Sequence, residues 1–202
     1  KNGKVILPYT ADAKAQHSFV SAAKERGYQV LVMEGPLAAH MVQKLEEAYP
    51  DVQFKRVDSD VADNLIESDE AAESTLDEKQ EEALKPVIEG AFPGDAYKVK
   101  FTAMSPTAAP LTITRSEFMR RMKEQQAVGG GGGVQMFGAM PDNYDVTVNS
   151  NHPIVQKILT EKNEEVKQKL AKRAGDLARL SQGLLEGEEL TAFIAEGYGE
   201  LS

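Results

Sequence analysis

Short apolar runs alternate with amphipathic segments in the first third of the chain, which predicts strands separated by helices. The predicted strands are VILPYT (5–10), QVLVM (29–33) and VQFKRV (52–57). The second run is apolar throughout and is predicted to lie inside a parallel sheet. The third run alternates and is predicted to lie nearer an edge. Strands joined by helices of this length predict a small βαβαβ subdomain with a parallel sheet.

Two helices are predicted between these strands. The first is expected to be capped by Thr10 or Asp12 and to end at Gly27, where a glycine suits a left-handed stop. Its predicted apolar face consists of Phe19, Ala22 and Ala23. The second helix is expected to follow Gly35-Pro36 and to bury Leu37, Met41 and Leu45, which recur every four residues.

The composition changes at residues 67–82, ESDEAAESTLDEKQEE, which are acidic and poor in large apolar side chains. This stretch is predicted to be a linker or the solvated start of a helix that gains an apolar face from Ala83. It divides the chain into an α/β part over residues 1–66 and a second part over residues 83–202.

The second part has the pattern of an α+β domain with a mixed sheet. Strands are predicted at YKVKFTAM (97–104), LTIT (111–114), residues 134–137 and YDVTV (144–148). A short helix is predicted over residues 116–126, capped by Ser116. Asn151 is expected to cap a later helix that has Pro153 in its first turn and that buries Ile154, Val155, Ile158 and Leu159.

The end of the chain is predicted to be helical. Val166, Leu170, Ala174, Leu177, Leu180 and Leu184 step by three or four residues, which predicts one long helix ending at Gly187 and a shorter helix after it. The pair carries many large apolar groups: Leu177, Leu180, Leu184, Leu185, Leu190, Phe193, Ile194 and Tyr198. Burying each contributes roughly 1.5–3 kcal/mol. They either pack on the chain's own sheet or pair with a second copy as a four-helix bundle.

The helix at 116–126 is basic and amphipathic. Phe118, Met119 and Met122 lie among Arg120, Arg121 and Lys123. An apolar stripe of this kind is typical of a helix face that packs in a protein core. A methionine-rich face is also typical of a surface that adapts to varied partners.

Composition narrows the function classes. The formal charge of -9 argues against nucleic acid as the main partner, because phosphate binding relies on clustered Lys and Arg. The chain has no cysteine, which excludes disulfides and thiolate metal sites and fits a reducing cytoplasm. No apolar run approaches the ~20 residues that span a membrane. Because the chain begins with Lys1, we expect it to be a piece of a longer protein.

Candidate catalytic and metal motifs are weak. The glycines at 129–133 follow a predicted helix, precede a strand and have no lysine behind them, so a flexible connector is expected instead of a phosphate loop. Asp58, Asp60 and Asp63 lack the glycine and glutamate of a calcium loop. The three histidines share no ligand spacing. We therefore expect neither a catalytic site nor a metal site, and an alternative ligand site in the crevice near Thr10, Glu34 and Asp58 remains open.

Four segments together resemble one family: GYQVLVMEGPLAAHMVQKLE (27–46), FKRVDSDVADNLI (54–66), MPDNYDVTVNSNHPIV (140–155) and LARLSQGLLEGEELTAFIAEGYGEL (177–201). The chain is similar to the bacterial members of the ninety-kilodalton heat-shock protein chaperones. The resemblance implies that residues 1–66 end the middle domain and that the remainder is the carboxyl-terminal dimerisation domain. It also implies an ATP-driven, cytoplasmic homodimer that binds partly folded client proteins during stress.

The resemblance assigns roles to particular residues. It implies a dimer interface on the last two helices and a client-contact helix at Phe118, Met119 and Met122, where the polar Gln125 and Gln126 shorten the apolar face. ATP and magnesium are expected in the parent protein only, since the family's nucleotide site and catalytic arginine lie upstream of Lys1. The chain also ends without the acidic tail of cytosolic eukaryotic members. We therefore predict the dimerisation and client-binding portion of an ATP-dependent chaperone. The alternatives are a small α/β ligand-binding or enzymatic domain, or a purely structural adaptor.

Overall fold

The computed structural model describes residues 3–35, 37–66, 72–115 and 143–200. Two compact units are present, one containing residues 3–66 and the other containing residues 72–113 and 145–200. Both units combine strands with helices, so the predicted mixed α/β class is confirmed. The division of the chain into family domains, with a linker at 67–82, stays a prediction.

Three parallel strands form the sheet of the first unit. They are β1 (Val5–Thr10), β2 (Leu31–Val32) and β3 (Val52–Arg56), in the order β2-β1-β3. Tyr9 of β1 is paired with Leu31 on one side and with Arg56 on the other. The central strand is therefore β1.

Three described helices accompany this sheet: α1 (His17–Glu25), α2 (Ala38–Ala48) and α3 (Ala62–Leu65). They form two separate apolar clusters with the strands. The first cluster contains Tyr9, Met33, Ala38, Val42 and Phe54. The second contains Phe19, Ala23, Val57 and Leu65. Gly27 lies at a φ of 79° directly after α1, as predicted for a left-handed stop.

The prediction that the second strand lies inside the sheet is wrong. β2 has only two residues, it lies beside β1 alone in the strand order, and both of its side chains are exposed. The predicted cap of α1 is also wrong, because the helix begins later and Gln16 is its N-cap residue. Asp12 instead accepts hydrogen bonds from the backbone N–H groups of Lys14 and Ala15 and closes a turn before the helix.

The predicted apolar face of α2 is rotated. The helix begins at Ala38 and buries Ala38 and Val42, whereas Leu37 is 71% exposed and Met41 is also exposed. Leu45, the third predicted residue, is half-buried and packs against the first cluster. A stripe shifted by one residue turns by about 100° around a helix, so Leu37 and Met41 lie on the outer side.

The second unit contains one three-stranded sheet and four helices among its described residues. The strands are β4 (Tyr97–Thr102), β5 (Leu111–Thr114) and β6 (Tyr144–Asn149), in the order β4-β6-β5. The helices are α4 (Glu78–Glu89), α5 (Pro153–Thr160), α6 (Glu164–Ser181) and α7 (Gly187–Gly199). α4 begins at a capping box formed by Asp77 and Gln80, and it contacts α5, α6 and β4.

Two predictions about helix ends in the second unit are wrong. His152, not Asn151, caps α5: its Nδ1 accepts a hydrogen bond from the Ile154 N–H at 3.1 Å, and burial lowers the pKa of this imidazole. The long helix α6 ends at Ser181 instead of Gly187, because Gly183 adopts a φ of 63° and turns the chain toward α7.

Several predicted elements lie outside the described residues. They are the helix at 116–126 with Phe118, Met119 and Met122, the glycines at 129–133 and the strand at 134–137. Their roles stay predictions.

Candidate association face

The inner face of α6 is built from small residues. Asn163 caps the helix through its side-chain oxygen, which accepts hydrogen bonds from the N–H groups of Glu165 and Val166. Ala171, Ala174, Gly175 and Ala178 are buried along one side of the helix. A Cβ added to Gly175 would lie only 3.2 Å from the Cβ of Ala91, so α6 packs closely against the end of α4. The side of α6 that carries alanine and glycine therefore faces the rest of the second unit, and Leu177 and Leu180 lie on another side of the helix.

Leucines occupy the outer side of α6. Leu177 and Leu180 are 51% and 40% exposed. α7, which is described along its whole length, has no buried side chain, and its Ile194 and Tyr198 are also exposed. We define the terminal face as Leu177, Leu180, Ile194 and Tyr198. Large exposed apolar side chains on two consecutive helices are typical of an association surface.

The predicted interface residues differ in exposure. The four residues of the terminal face are exposed, and Leu184, Leu190 and Phe193 are half-buried. Leu185 is only 2% exposed, so its side chain packs within its own chain and has almost no surface left for a partner. Leu185 is therefore buried, whereas the other seven predicted interface residues keep exposed or half-exposed side chains.

Sequence reasoning missed the charged residues that hold α7 to α6. The first is Arg179, which is buried in α6. Its Nη1 and Nη2 atoms donate to the Oε1 and Oε2 atoms of Glu189 at 3.1 and 2.5 Å, in the paired geometry that a guanidinium and a carboxylate favour. Nη2 also donates to the carbonyl oxygen of Leu184 at 3.2 Å. This hydrogen bonding lowers the pKa of the Glu189 carboxyl and raises the pKa of Arg179.

The second is Arg173, two turns earlier on α6. Its guanidinium carbon lies 4.0 Å from the centre of the Phe193 ring, which is a cation–π contact. Nη1 donates to the Phe193 carbonyl oxygen at 3.4 Å, and Nη2 donates to Glu200 Oε2 at 3.4 Å. Together, Arg173 and Arg179 contact α7 near its beginning, in its middle and just beyond its end.

No pattern in the sequence singles out these arginines. Alanine and glycine at spacings of three and four mark the side of α6 that packs closely, and Arg179 directly follows the buried Ala178. Lys172 directly follows the buried Ala171 in the same way, yet its side chain is 62% exposed. The position of a basic residue beside this stripe therefore does not show whether its charge is buried.

A groove of about 650 Å³ also lies in the second unit. Its lining includes Val87 of α4, Ala91 just after that helix, and Val166 and Leu170 of α6, and charged side chains of both signs complete it. Because charges of both signs line this groove, its lining does not indicate which kind of ligand would bind there.

The alternative crevice of the first unit has its polar groups engaged locally. Thr10 donates through its hydroxyl to Gln16 Oε1 at 2.6 Å, and Glu34 accepts from the Ala13 N–H at 3.4 Å. Asp58 accepts from Nε and Nη2 of Arg56 at 2.5 and 2.6 Å. Each group has its own partner, and the three do not share one.

The described residues contain neither a candidate metal site nor a candidate membrane-spanning helix. In 3–35, 37–66, 72–115 and 143–200, His, Asp and Glu side chains form no group of three placed to hold a metal ion. Over those same ranges, no helix combines the length and apolar character needed to cross a membrane.

The described residues form two units of strands and helices, and the last two helices of the second unit expose large apolar side chains. The sequence pattern of the Hsp90 protein family matches residues 7–186, which is most of the chain. The chain belongs to this family.

Individual relatives agree with that assignment. The chain is 33% identical over 183 residues to the chaperone protein HtpG of Porphyromonas gingivalis, an alignment covering 89% of this chain and 26% of the relative. It is 37% identical over 165 residues to HtpG of Bacteroides thetaiotaomicron, covering 80% and 24%. It is 36% identical over 169 residues to HtpG of Bacteroides fragilis, covering 82% and 24%. The chain therefore spans about a quarter of the length of the curated relatives it matches.

Proposed function

We propose that this chain is the dimerisation and client-binding portion of a molecular chaperone that assists protein folding under stress. Its family and the chaperone names of its relatives support the chaperone role. The observation that carries the dimerisation role is α7, which buries none of its own side chains yet exposes Ile194 and Tyr198. A helix of this kind needs a second surface to cover it.

The energetics of the terminal face support a second copy of the chain as that surface. The four side chains are already about half covered by their own chain, so covering the remainder contributes roughly 3–6 kcal/mol per protomer, which is half of about 1.5–3 kcal/mol each. Association costs about 4–15 kcal/mol. Two protomers contribute the face twice in a symmetric dimer, and the half-buried Leu184, Leu190 and Phe193 add to it. The apolar contribution of the two faces is therefore of the same size as the association cost, which is compatible with a dimer.

The dimer contact gives the parent protein its mechanical linkage. If two protomers are held together at their carboxyl-terminal helices, ATP-driven closure elsewhere in the protein encloses a client between them. ATP and magnesium would bind in the part of the parent protein outside this chain, and the dimer would act in the cytoplasm. The chain's own contribution would be association and client contact.

Dimerisation is tested by light scattering of the chain at micromolar concentration. We expect a dimer for the wild type and a monomer for Leu180→Asp or Ile194→Asp, because each change buries a carboxylate in an apolar contact. Leu37→Asp is the control, since Leu37 is an exposed leucine in the first unit, and this variant should remain a dimer. A monomeric wild-type chain would show that the dimerisation proposal is wrong.

Client binding is assigned to Phe118, Met119 and Met122, by the family resemblance. Changing Phe118 and Met122 to Ser should weaken binding of a permanently unfolded protein, such as reduced and alkylated lactalbumin, by about tenfold, because two apolar contacts are lost. Light scattering of the same variant should still give a dimer. Unchanged affinity for the unfolded protein would favour the structural-adaptor alternative.

A further inference from the structure

Charged groups of α6 contact α7 along its length. α7 is described from Gly187 to Gly199 and contributes no fully buried side chain, and of its large apolar residues only Leu190 and Phe193 are half-buried, so apolar packing alone does not fix its direction. Two arginines of α6 contact it. Arg179 binds Glu189 in the first turn of α7, and Arg173 binds Phe193 and Glu200 farther along.

We infer that Arg173 and Arg179 are positioning residues that present α7 in the orientation a second copy of the chain recognises. The inference rests on the proposed dimer. Six residues separate the two arginines, which is about 9 Å along a helix axis. Contacts at two points that far apart fix both the position and the direction of a neighbouring helix, which a contact at one point would not do.

The chemistry of arginine suits this task. Its planar guanidinium binds the two oxygens of Glu189 at once, and the flat face of Arg173 covers the Phe193 ring while its edges donate hydrogen bonds. Arg179 is buried, so this ion pair is shielded from solvent on one side, although Glu189 is about half exposed. A lysine has one ammonium group and would not form the paired contact.

Holding α7 in this way leaves its apolar side chains free for a partner. Phe193 faces Arg173, whereas the adjacent Ile194 is exposed, and so is Tyr198. Breaking either arginine contact would remove no apolar group from the terminal face. It would only widen the range of orientations of α7, and a partner would then have to order the helix on binding.

The test compares two neighbouring acids in the 202-residue chain. Glu189→Gln removes the α7 carboxylate that Arg179 binds, while Asp176 of α6 stays 3.7 Å from Arg179 Nη1. Glu188→Gln removes the same charge one residue earlier, on an exposed side chain. Analytical ultracentrifugation gives the dimer dissociation constant of each. We expect Glu189→Gln to weaken the dimer about tenfold and Glu188→Gln to leave it within about twofold. Arg173→Gln, paired with the exposed Lys169→Gln as its control, tests the second arginine in the same way.

Hydrogen exchange of the same variants distinguishes positioning from a general loss of stability. In Glu189→Gln, the amides of α7 should exchange about tenfold faster while those of α5 keep their wild-type rates. If Glu189→Gln and Glu188→Gln have the same dissociation constant, the inference is overturned, and the dimer proposal survives. A monomeric wild type overturns the dimer proposal, and faster exchange confined to α7 would then show that the arginines order the helix for the chain alone.

Discussion

At the scale of single residues, Asn149 at the end of β6 joins separate stretches of the second unit. Its side chain is fully buried. Oδ1 accepts hydrogen bonds from the N–H groups of Met104 and Asn151, at 3.2 and 3.1 Å, and Nδ2 donates to the Ser105 carbonyl oxygen at 2.8 Å. One amide therefore satisfies three backbone groups of two loops. An apolar side chain would leave all three without this partner, and a purely accepting side chain would leave the Ser105 carbonyl oxygen without its donor.

Asn149→Ala should lower the free energy of unfolding by about 2–4 kcal/mol, because buried backbone groups lose their hydrogen bonds. The matched control is Thr147→Val on the same strand. Thr147 is also fully buried, but its hydroxyl has no hydrogen-bond partner among the described residues. Its replacement by an isosteric apolar group should be neutral or stabilising by up to about 1 kcal/mol. Urea unfolding measures both, and equal losses in the two variants would contradict the hydrogen-bond account.

At the scale of helices and strands, position along the chain was predictable and the direction of each face was not. The run VILPYT coincides with β1, and LTIT coincides with β5. Apolar runs and turn residues are local signals, which explains this agreement. The predicted face of α2 instead assumed that the largest apolar side chains point inward, and for α6 the sequence left open whether its leucines pack on their own chain or on a second copy. In both helices alanine is prominent on the buried side, and Leu37 and Leu177 are exposed, because only small side chains permit close packing there.

Two helix glycines should respond in opposite ways to substitution. A Cβ at Gly175 in α6 would lie 3.2 Å from Ala91 Cβ, whereas a Cβ at Gly197 in α7 would have Arg173 Nη2 as its nearest neighbour, at 3.5 Å. Gly175→Val should therefore destabilise the second unit by about 1–3 kcal/mol through overpacking. Gly197→Ala should stabilise it by about 0.5–1 kcal/mol, because alanine favours the helical backbone. Thermal unfolding compares them, and a stabilising Gly175→Val would show that α4 and α6 separate easily.

At the scale of the whole molecule, the sequence predicted that the terminal helices carry an association surface. It did not predict the charged contacts that hold α7 on α6. The density of large apolar residues in 177–198 identified the face from the sequence. Arg173, Arg179 and Glu189 looked like ordinary solvated charges, because their pairing depends on how α7 folds back across α6. That arrangement follows from the turn at Gly183 and Gly187, both at positive φ, and no periodicity in the sequence encodes it.

An α7 stabilised mainly by a partner should make the thermal stability of the second unit depend on concentration. Mass action favours the dimer as the concentration rises, so the unfolding temperature rises with it. For a unit of this size we expect an increase of about 3–5 °C when the chain concentration is raised about a hundredfold. Calorimetry or circular dichroism at 222 nm measures this shift across the micromolar range.

The same measurement on Leu180→Asp and Leu37→Asp locates the contact. Leu180→Asp should unfold at a temperature that no longer changes with concentration, because its monomer has nothing left to dissociate. Leu37→Asp, whose substituted side chain lies in the first unit, should keep the wild-type dependence. If the wild-type unfolding temperature is constant over the whole range, α7 is stable on its own chain and the terminal face is not what holds two copies together.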